Sequence, residues 1–196
     1  MFYRLRDILF AVLGLLLFGG LMLVLMPLMA LTQEHVFFVQ ERTGFRGKPF
    51  RLFKFSTLRD IVAGECEEDN QRNRLTPIGR VLRRFSLDEL PQLANVLLGD
   101  MSIVGPRPLI HDYAPLYTPE QRRRFEVRPG ITGWAQVNGR NAISFTERFA
   151  LDVWYVEHRS AVLDAKILWC TLRQTLGGQG VYADSETTSA RFDGRN

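Results

Sequence analysis

Residues 8–31, ILFAVLGLLLFGGLMLVLMPLMAL, run for 24 positions without a charged side chain. A helix rising ~1.5 Å per residue over that length reaches ~36 Å, enough for a hydrocarbon core of ~30 Å. A cleavable signal peptide has an apolar run of only ~7–15 residues, so a retained membrane segment is expected. Pro27 lacks an amide hydrogen and is expected to break the helix, leaving a first part barely long enough to span. Cations flank both ends, Arg4 and Arg6 before, then Arg42, Arg46 and Lys48 after, so charge assigns no orientation. A helix entering and leaving on one face would produce that symmetry; an ordinary spanning anchor is the alternative.

Beyond the apolar run the pattern changes. VFFVQ (36–40) and PFRLFKFSTL (49–58) read as two strands around a turn rich in Gly44, Gly47 and Pro49. The acidic stretch 60–69 reads as an exposed loop. Leu90, Leu93, Ala94 and Leu97 recur at helical spacing and predict an amphipathic helix ending near Gly99. Ser144 with Glu147 forms a capping box that opens a second helix, SFTERFALDVWYVEH. Ser160 opens a third, stopped by Gly177-Gly178. Its apolar stripe (Ala161, Ala165, Leu168, Trp169, Leu172, Leu176) is expected to pack in a core, with a membrane-interface helix as the second reading. The tail from Tyr182 is polar and is expected to be loose. The picture is a small membrane-associated α/β domain of the α+β, helix-rich kind. It divides into a membrane segment (1–31), a catalytic domain (32–181) and a tail (182–196).

Composition trims the options. The chain of 196 residues is 46% hydrophobic and 11% aromatic, which excludes a disordered chain. Two cysteines far apart, Cys66 and Cys170, exclude a disulfide scaffold, and no Cys/His pattern has zinc spacing. Neither GxGxxG nor GxxxxGK[ST] occurs. Of the cations, only Lys48, Lys54 and Lys166 are lysine. Arginine's planar fork grips phosphate, although a codon bias toward arginine would give the same count.

Asp88 and Glu89 stand side by side at a helix start, just after Arg83 and Arg84. Capping accounts for Ser86 and Glu89 as a Ser-x-x-Glu box. It accounts for neither Asp88 nor the paired arginines. Two carboxylates can divide labour between nucleophile or magnesium ligand and base or second ligand. GPRP (105–108) holds Arg107 between two prolines that stiffen its loop, which suits a phosphate guest. In RPGITGWAQVNGRN (128–141), Gln136, Asn138 and Arg140 would share one face if the piece is extended, and a nucleotide or sugar would suit that face. A hairpin turning at Asn138-Gly139 is the alternative. RRRFEVR (122–128) reads as a contact with anionic lipid heads, worth ~1 kcal/mol per cation. His35, His111 and His158 show no triad or metal spacing.

At these residues the sequence resembles the bacterial sugar transferase family, the small monotopic phosphoglycosyl transferases, and most of all their short, PglC-like form. The resemblance rests on the proline-containing apolar helix, Lys54-Phe55-Ser56-Thr57, SLDELPQLANVLLGDMSIVGPRPL and RPGITGWAQVNGRN. One departure is Leu58, where the family often has methionine. The resemblance implies transfer of a sugar phosphate from a UDP-sugar to polyprenyl (undecaprenyl) phosphate, releasing UMP. Asp88 would be the nucleophile, forming a covalent phosphosugar intermediate. Glu89 would assist the metal or the acceptor. Magnesium is the implied cofactor, with Asp88, alone or with Glu89, as its ligand. Arg83, Arg107 and Lys54 would hold phosphates. The apolar helix would re-enter the face it came from, placing the enzyme on the cytoplasmic face of the inner membrane. The short form favours a UDP-N-acetylhexosamine donor.

Two rivals remain in view. A membrane-bound phosphatase or nucleotide hydrolase would use the same dyad with water as acceptor. A basic nucleic-acid module would bind through charge, yet no nucleic-acid motif surrounds the cations, so no nucleic-acid partner is expected. The sugar, the pathway and the oligomeric state, a homodimer among the options, stay open.

Overall fold

A computed structural model describes residues 2–60, 74–139, 143–177 and 192–194. Helix α1 (Phe2–Thr32) leads into strands β1 (Phe37–Thr43) and β2 (Pro49–Phe55). These pair antiparallel, from Phe37 opposite Phe55 to Thr43 opposite Pro49. Then come α2 (Pro77–Arg84), a 3-10 turn at Leu87–Glu89, α3 (Gln92–Leu98) and β3 (Ser102–Val104). A 3-10 segment (His111–Leu116), α4 (Pro119–Arg122), a second 3-10 turn (Arg123–Glu126) and β4 (Gly130–Thr132) follow. The chain continues with α5 (Trp134–Asn138), α6 (Phe145–His158) and α7 (Ala161–Leu176). Strands β3 and β4 form a separate two-stranded parallel sheet. The architecture is helix-rich with two small sheets, in line with the sequence pattern.

The helix does not stop at Pro27: α1 runs through it to Thr32. Proline removes one hydrogen bond, and packing of the flanking turns outweighs that loss. Met22, Leu25, Met26 and Met29 lie against Phe55, Leu82 and their neighbours. Both ends of α1 are tied to the same body. At the start, Arg4 donates to the carbonyls of Val96 and Leu97, capping the last turn of α3. Asp7, buried, accepts from Ser102 Oγ at 2.7 Å and from the Ile103 amide at 3.3 Å. Arg6 pairs with buried Asp164 at 2.5 Å. In the middle, Gly14 lets the helix approach Leu93. Past the end, Gln33 Nε2 donates to the Ser56 carbonyl at 2.9 Å. The opposite side of α1 exposes Leu9, Leu16, Leu17, Leu23 and Leu31.

Two further expectations are corrected. Apart from Leu168, which packs beside Ile167, the stripe of α7 does not enter the core: Trp169 is 67% exposed, Leu172 51% and Leu176 74%. Asp164 and Ile167 face inward instead, because Asp164 accepts from Tyr155 Oη at 2.7 Å and pairs with Arg6. This outward apolar face is the geometry of the second reading, a helix at a membrane interface. The tail is not loose at Phe192, which is buried among Tyr117, Phe145 and Phe149. The rest of the tail, apart from residues 193 and 194, lies outside the described residues. The acidic stretch, apart from Asp60, lies outside the described residues.

Candidate active site

The dyad is set by the turn before it. Thr76 caps α2, accepting from the Gly79 amide at 2.9 Å, with Pro77 at the first helical position. Gly79 sits so close to the Thr57 carbonyl that any side chain would collide with it. Ser86 then adopts a left-handed conformation (φ 54, ψ 24) and turns the chain into the 3-10 segment carrying Asp88 and Glu89. No Ser-x-x-Glu box forms: Ser86 makes no side-chain cap, and its conformation is wrong for one. Glu89 points instead at cations. Pro91 and α3 follow, and α3 ends on Gly99 at φ 96, as its sequence predicts.

The two carboxylates have unlike surroundings. Glu89 Oε1 accepts from Lys54 Nζ at 2.8 Å and from Arg107 at 2.9 Å. Burial works against its charge, but the two cations overcome that and bring its pKa down to about 2. Asp88 lies 3.9 Å from Lys54 Nζ and accepts no hydrogen bond among the described residues. Burial pushes its pKa up, Lys54 opposes the rise, and Glu89 adds to it. Glu89 is thus held by two cations, while Asp88 accepts no hydrogen bond among the described residues.

The remaining phosphate-binding candidates divide. Lys54, from β2, and Arg107 both reach the dyad. Arg83 Nε donates to Thr57 Oγ1 at 2.8 Å, and its charge is felt at Asp88. The stiff loop of Arg107 is held from behind: Arg124 donates to the Arg107 carbonyl at 2.7 Å while paired with Asp152 at 2.7 Å. Both partners are buried, and Arg124 is the largest fully buried side chain among the described residues. Within RRRFEVR, Arg124 is therefore out of reach of lipid heads. Arg122 donates to the carbonyls of Tyr117 and Ala114, Arg123 pairs with Glu120 and Glu157, and Arg128 donates to the Gly99 carbonyl.

Gln136 and Asn138 do not share an extended face. After β4 the chain turns helical, and positions two apart on α5 point to different sides. Gln136 donates to the Ile131 carbonyl at 3.1 Å and Asn138 to the Trp134 carbonyl at 2.8 Å, so both serve local backbone. The alternative hairpin at Asn138-Gly139 does not form either, since Asn138 ends α5. Arg140 lies outside the described residues. Sequence reasoning missed Asn95, fully buried on α3, which donates to the Arg51 carbonyl at 2.7 Å and accepts from the Phe53 amide at 3.0 Å. It fixes the strand that carries Lys54. A polar residue on the buried side of an amphipathic helix was the available signal.

The model of the bacterial sugar transferase family matches residues 1–178, and the chain belongs to that family. It is 54% identical to an uncharacterized sugar transferase, EpsL, of Bacillus subtilis (strain 168), over 81% of this chain and 79% of the relative. It is 38% identical to the UDP-glucose:undecaprenyl-phosphate glucose-1-phosphate transferase of Caulobacter vibrioides, over 91% of this chain and 71% of that one. It is 34% identical to the undecaprenyl-phosphate galactose phosphotransferase of Salmonella typhimurium (strain LT2), over 91% of this chain but 41% of that longer protein. Homologues of the chain are thus undecaprenyl-phosphate sugar phosphotransferases.

Proposed function

We propose that the protein moves a sugar 1-phosphate from a UDP-sugar, of the UDP-N-acetylhexosamine type, to undecaprenyl phosphate, giving a polyprenyl-diphosphate-sugar and UMP. The observation that carries this reading is the unequal dyad: a carboxylate that accepts no hydrogen bond among the described residues beside one pinned by a lysine and an arginine. An Asp88 oxygen attacks the phosphorus next to the sugar, and the bond to the bridging oxygen breaks with its electrons leaving on UMP. An oxygen of undecaprenyl phosphate then attacks the same phosphorus and Asp88 departs unchanged. Lys54 and Arg107 steady the negative charge through both steps, and Arg83 holds a phosphate at the other edge of Asp88. Glu89 keeps the two cations in place.

The donor set suits magnesium, a hard ion held through one or two carboxylates together with substrate phosphates. Asp88, with the second oxygen of Glu89, would hold it, and it would neutralise diphosphate charge as UMP leaves. α1 supports a monotopic, re-entrant placement on the cytoplasmic face of the inner membrane. It is long and apolar enough to cross a bilayer, yet both of its ends are bound to one body. A helix crossing the bilayer would leave those ends on opposite sides. The lipid phosphate would meet Asp88 at headgroup level, without extraction into water.

The test is UMP release by nanodisc-held protein across a panel of UDP-sugars, with and without undecaprenyl phosphate and magnesium. Release that needs the acceptor and magnesium and prefers one sugar is expected. Sustained release without acceptor would make the protein a hydrolase.

A further inference from the structure

Arg42 plays no part in the site as described so far. It sits near the end of β1, whose last residues dock antiparallel against the segment just after the Gly-Pro-Arg-Pro loop. The Thr43 amide donates to the Leu109 carbonyl at 3.0 Å, and Arg42 bridges to Ile110. The hairpin register places Phe38 opposite Lys54, Gln40 opposite Leu52 and Arg42 opposite Phe50. Side chains alternate along a strand, so Lys54 and Arg42 stand on one face of the hairpin, with Arg107 arriving from the loop beside it.

The guanidinium of Arg42 is only partly satisfied. One terminal nitrogen donates to the Gln40 side-chain oxygen, while Nε is buried without a partner. No carboxylate pairs with Arg42 among the described residues, whereas Lys54 and Arg107 both have Glu89. Burial, and then repulsion from Arg107, bring its pKa down to about 10. Arg148, buried on α6, feels Arg107 in the same way. A cation kept partly buried beside another cation, with an unpartnered donor and no counter-ion among the described residues, is arranged for an anion that arrives with the substrate.

We propose that Arg42 binds, beside Arg107, the phosphate of the diphosphate donor that leaves with the nucleotide. This rests on the transferase reading above. Lys54 is next to Asp88 and serves the phosphorus under attack. Arg42 stands four residues from Phe38, the residue opposite Lys54, at the end of the hairpin that meets Ile110 after the Arg107 loop, so it serves the phosphate next to the one under attack. The acceptor lipid offers the same oxyanion chemistry, so the experiment must separate the two.

The experiment compares full-length wild type, Arg42→Gln and Arg42→Lys in detergent with magnesium. It reads the thermal shift produced by UDP, UMP and a short polyprenyl phosphate, together with KM for donor and acceptor. Expected are at least tenfold weaker UDP binding and a tenfold higher donor KM in Arg42→Gln, partial recovery in Arg42→Lys, and unchanged response to polyprenyl phosphate. The unliganded melting temperature should not fall, since an unpaired buried charge has been removed. Equal UDP binding in all three proteins would overturn the proposal, as would a loss confined to the lipid phosphate. A fall of the unliganded melting temperature in both variants would overturn it too, by assigning the charge to the fold. A wild type that neither binds UDP nor transfers would overturn the transferase reading itself.

Discussion

Asp88 and Glu89 carry the same functional group on neighbouring residues, and the fold gives them unlike surroundings. The left-handed Ser86 turns the segment so that Glu89 meets Lys54 and Arg107, while Asp88 stays 3.9 Å from Lys54 and accepts no hydrogen bond among the described residues. A non-glycine residue there is strained by about 1 kcal/mol or more, a cost borne where geometry is needed. The depressed pKa of Glu89 has a consequence with a definite sign. Its folded value of about 2 lies below its ordinary 4.5, so its charge adds stability above pH 4.5 that is lost as pH falls toward 2. Glu89→Gln should therefore be less stable than wild type at neutral pH, with Lys54 and Arg107 left uncompensated. Urea unfolding at steps from pH 6 to pH 2.5 should show the gap closing below about pH 4.5. A gap that stays constant across that range would mean that the cations do not rely on Glu89.

Among the elements, the loop of Arg107 depends on backbones that nearly touch. A side chain at Gly105 would strike the Arg128 carbonyl, and one at Gly130 would strike the Gly105 amide, so β3 and β4 pack only because both positions are bare. Gly130→Ala should cost about 1–3 kcal/mol or more, through overpacking with little room to relax. It should also lower transfer activity further than stability alone explains, by shifting Arg107. A chemical melt together with initial rates on the folded fraction checks this, and an unchanged rate would detach the loop from catalysis. This layer was partly legible in the sequence. The capping box at Ser144, the hairpin and the glycine stop of α3 depend on neighbours within a few residues and could be read locally. Arg124 with Asp152, Asn95 with the β2 backbone, and Asp7 with Ser102 join positions far apart, and nothing in their own surroundings announces the partner. Gln136 and Asn138 misled for the same reason, since only the turn after β4 decides that α5 is helical. The dyad itself stood out because capping left Asp88 and the arginines beside it unexplained.

At the scale of the whole molecule, α1 is less an anchor than a flank of the catalytic body. Its polar first turns are locked by Arg4, Arg6 and Asp7, its last turns pack on Phe55 and Leu82, and its outer side is apolar throughout. The exposed stripe of α7 adds a second apolar surface. Cysteines placed at positions 3 and 33, in a background lacking Cys66 and Cys170, should both react with a membrane-impermeant thiol reagent from the same side of sealed vesicles. Labelling from opposite sides would make α1 a spanning helix.

The central claim is that Asp88 carries the sugar phosphate, and trapping that species tests it most directly. Protein incubated with its UDP-sugar and magnesium, without acceptor, is quenched in acid and analysed by intact and peptide mass. The account predicts one added sugar phosphate on the peptide containing Asp88, discharged by undecaprenyl phosphate and absent from Asp88→Asn. Acceptor-dependent turnover with no adduct, or an adduct that persists in Asp88→Asn, would contradict it.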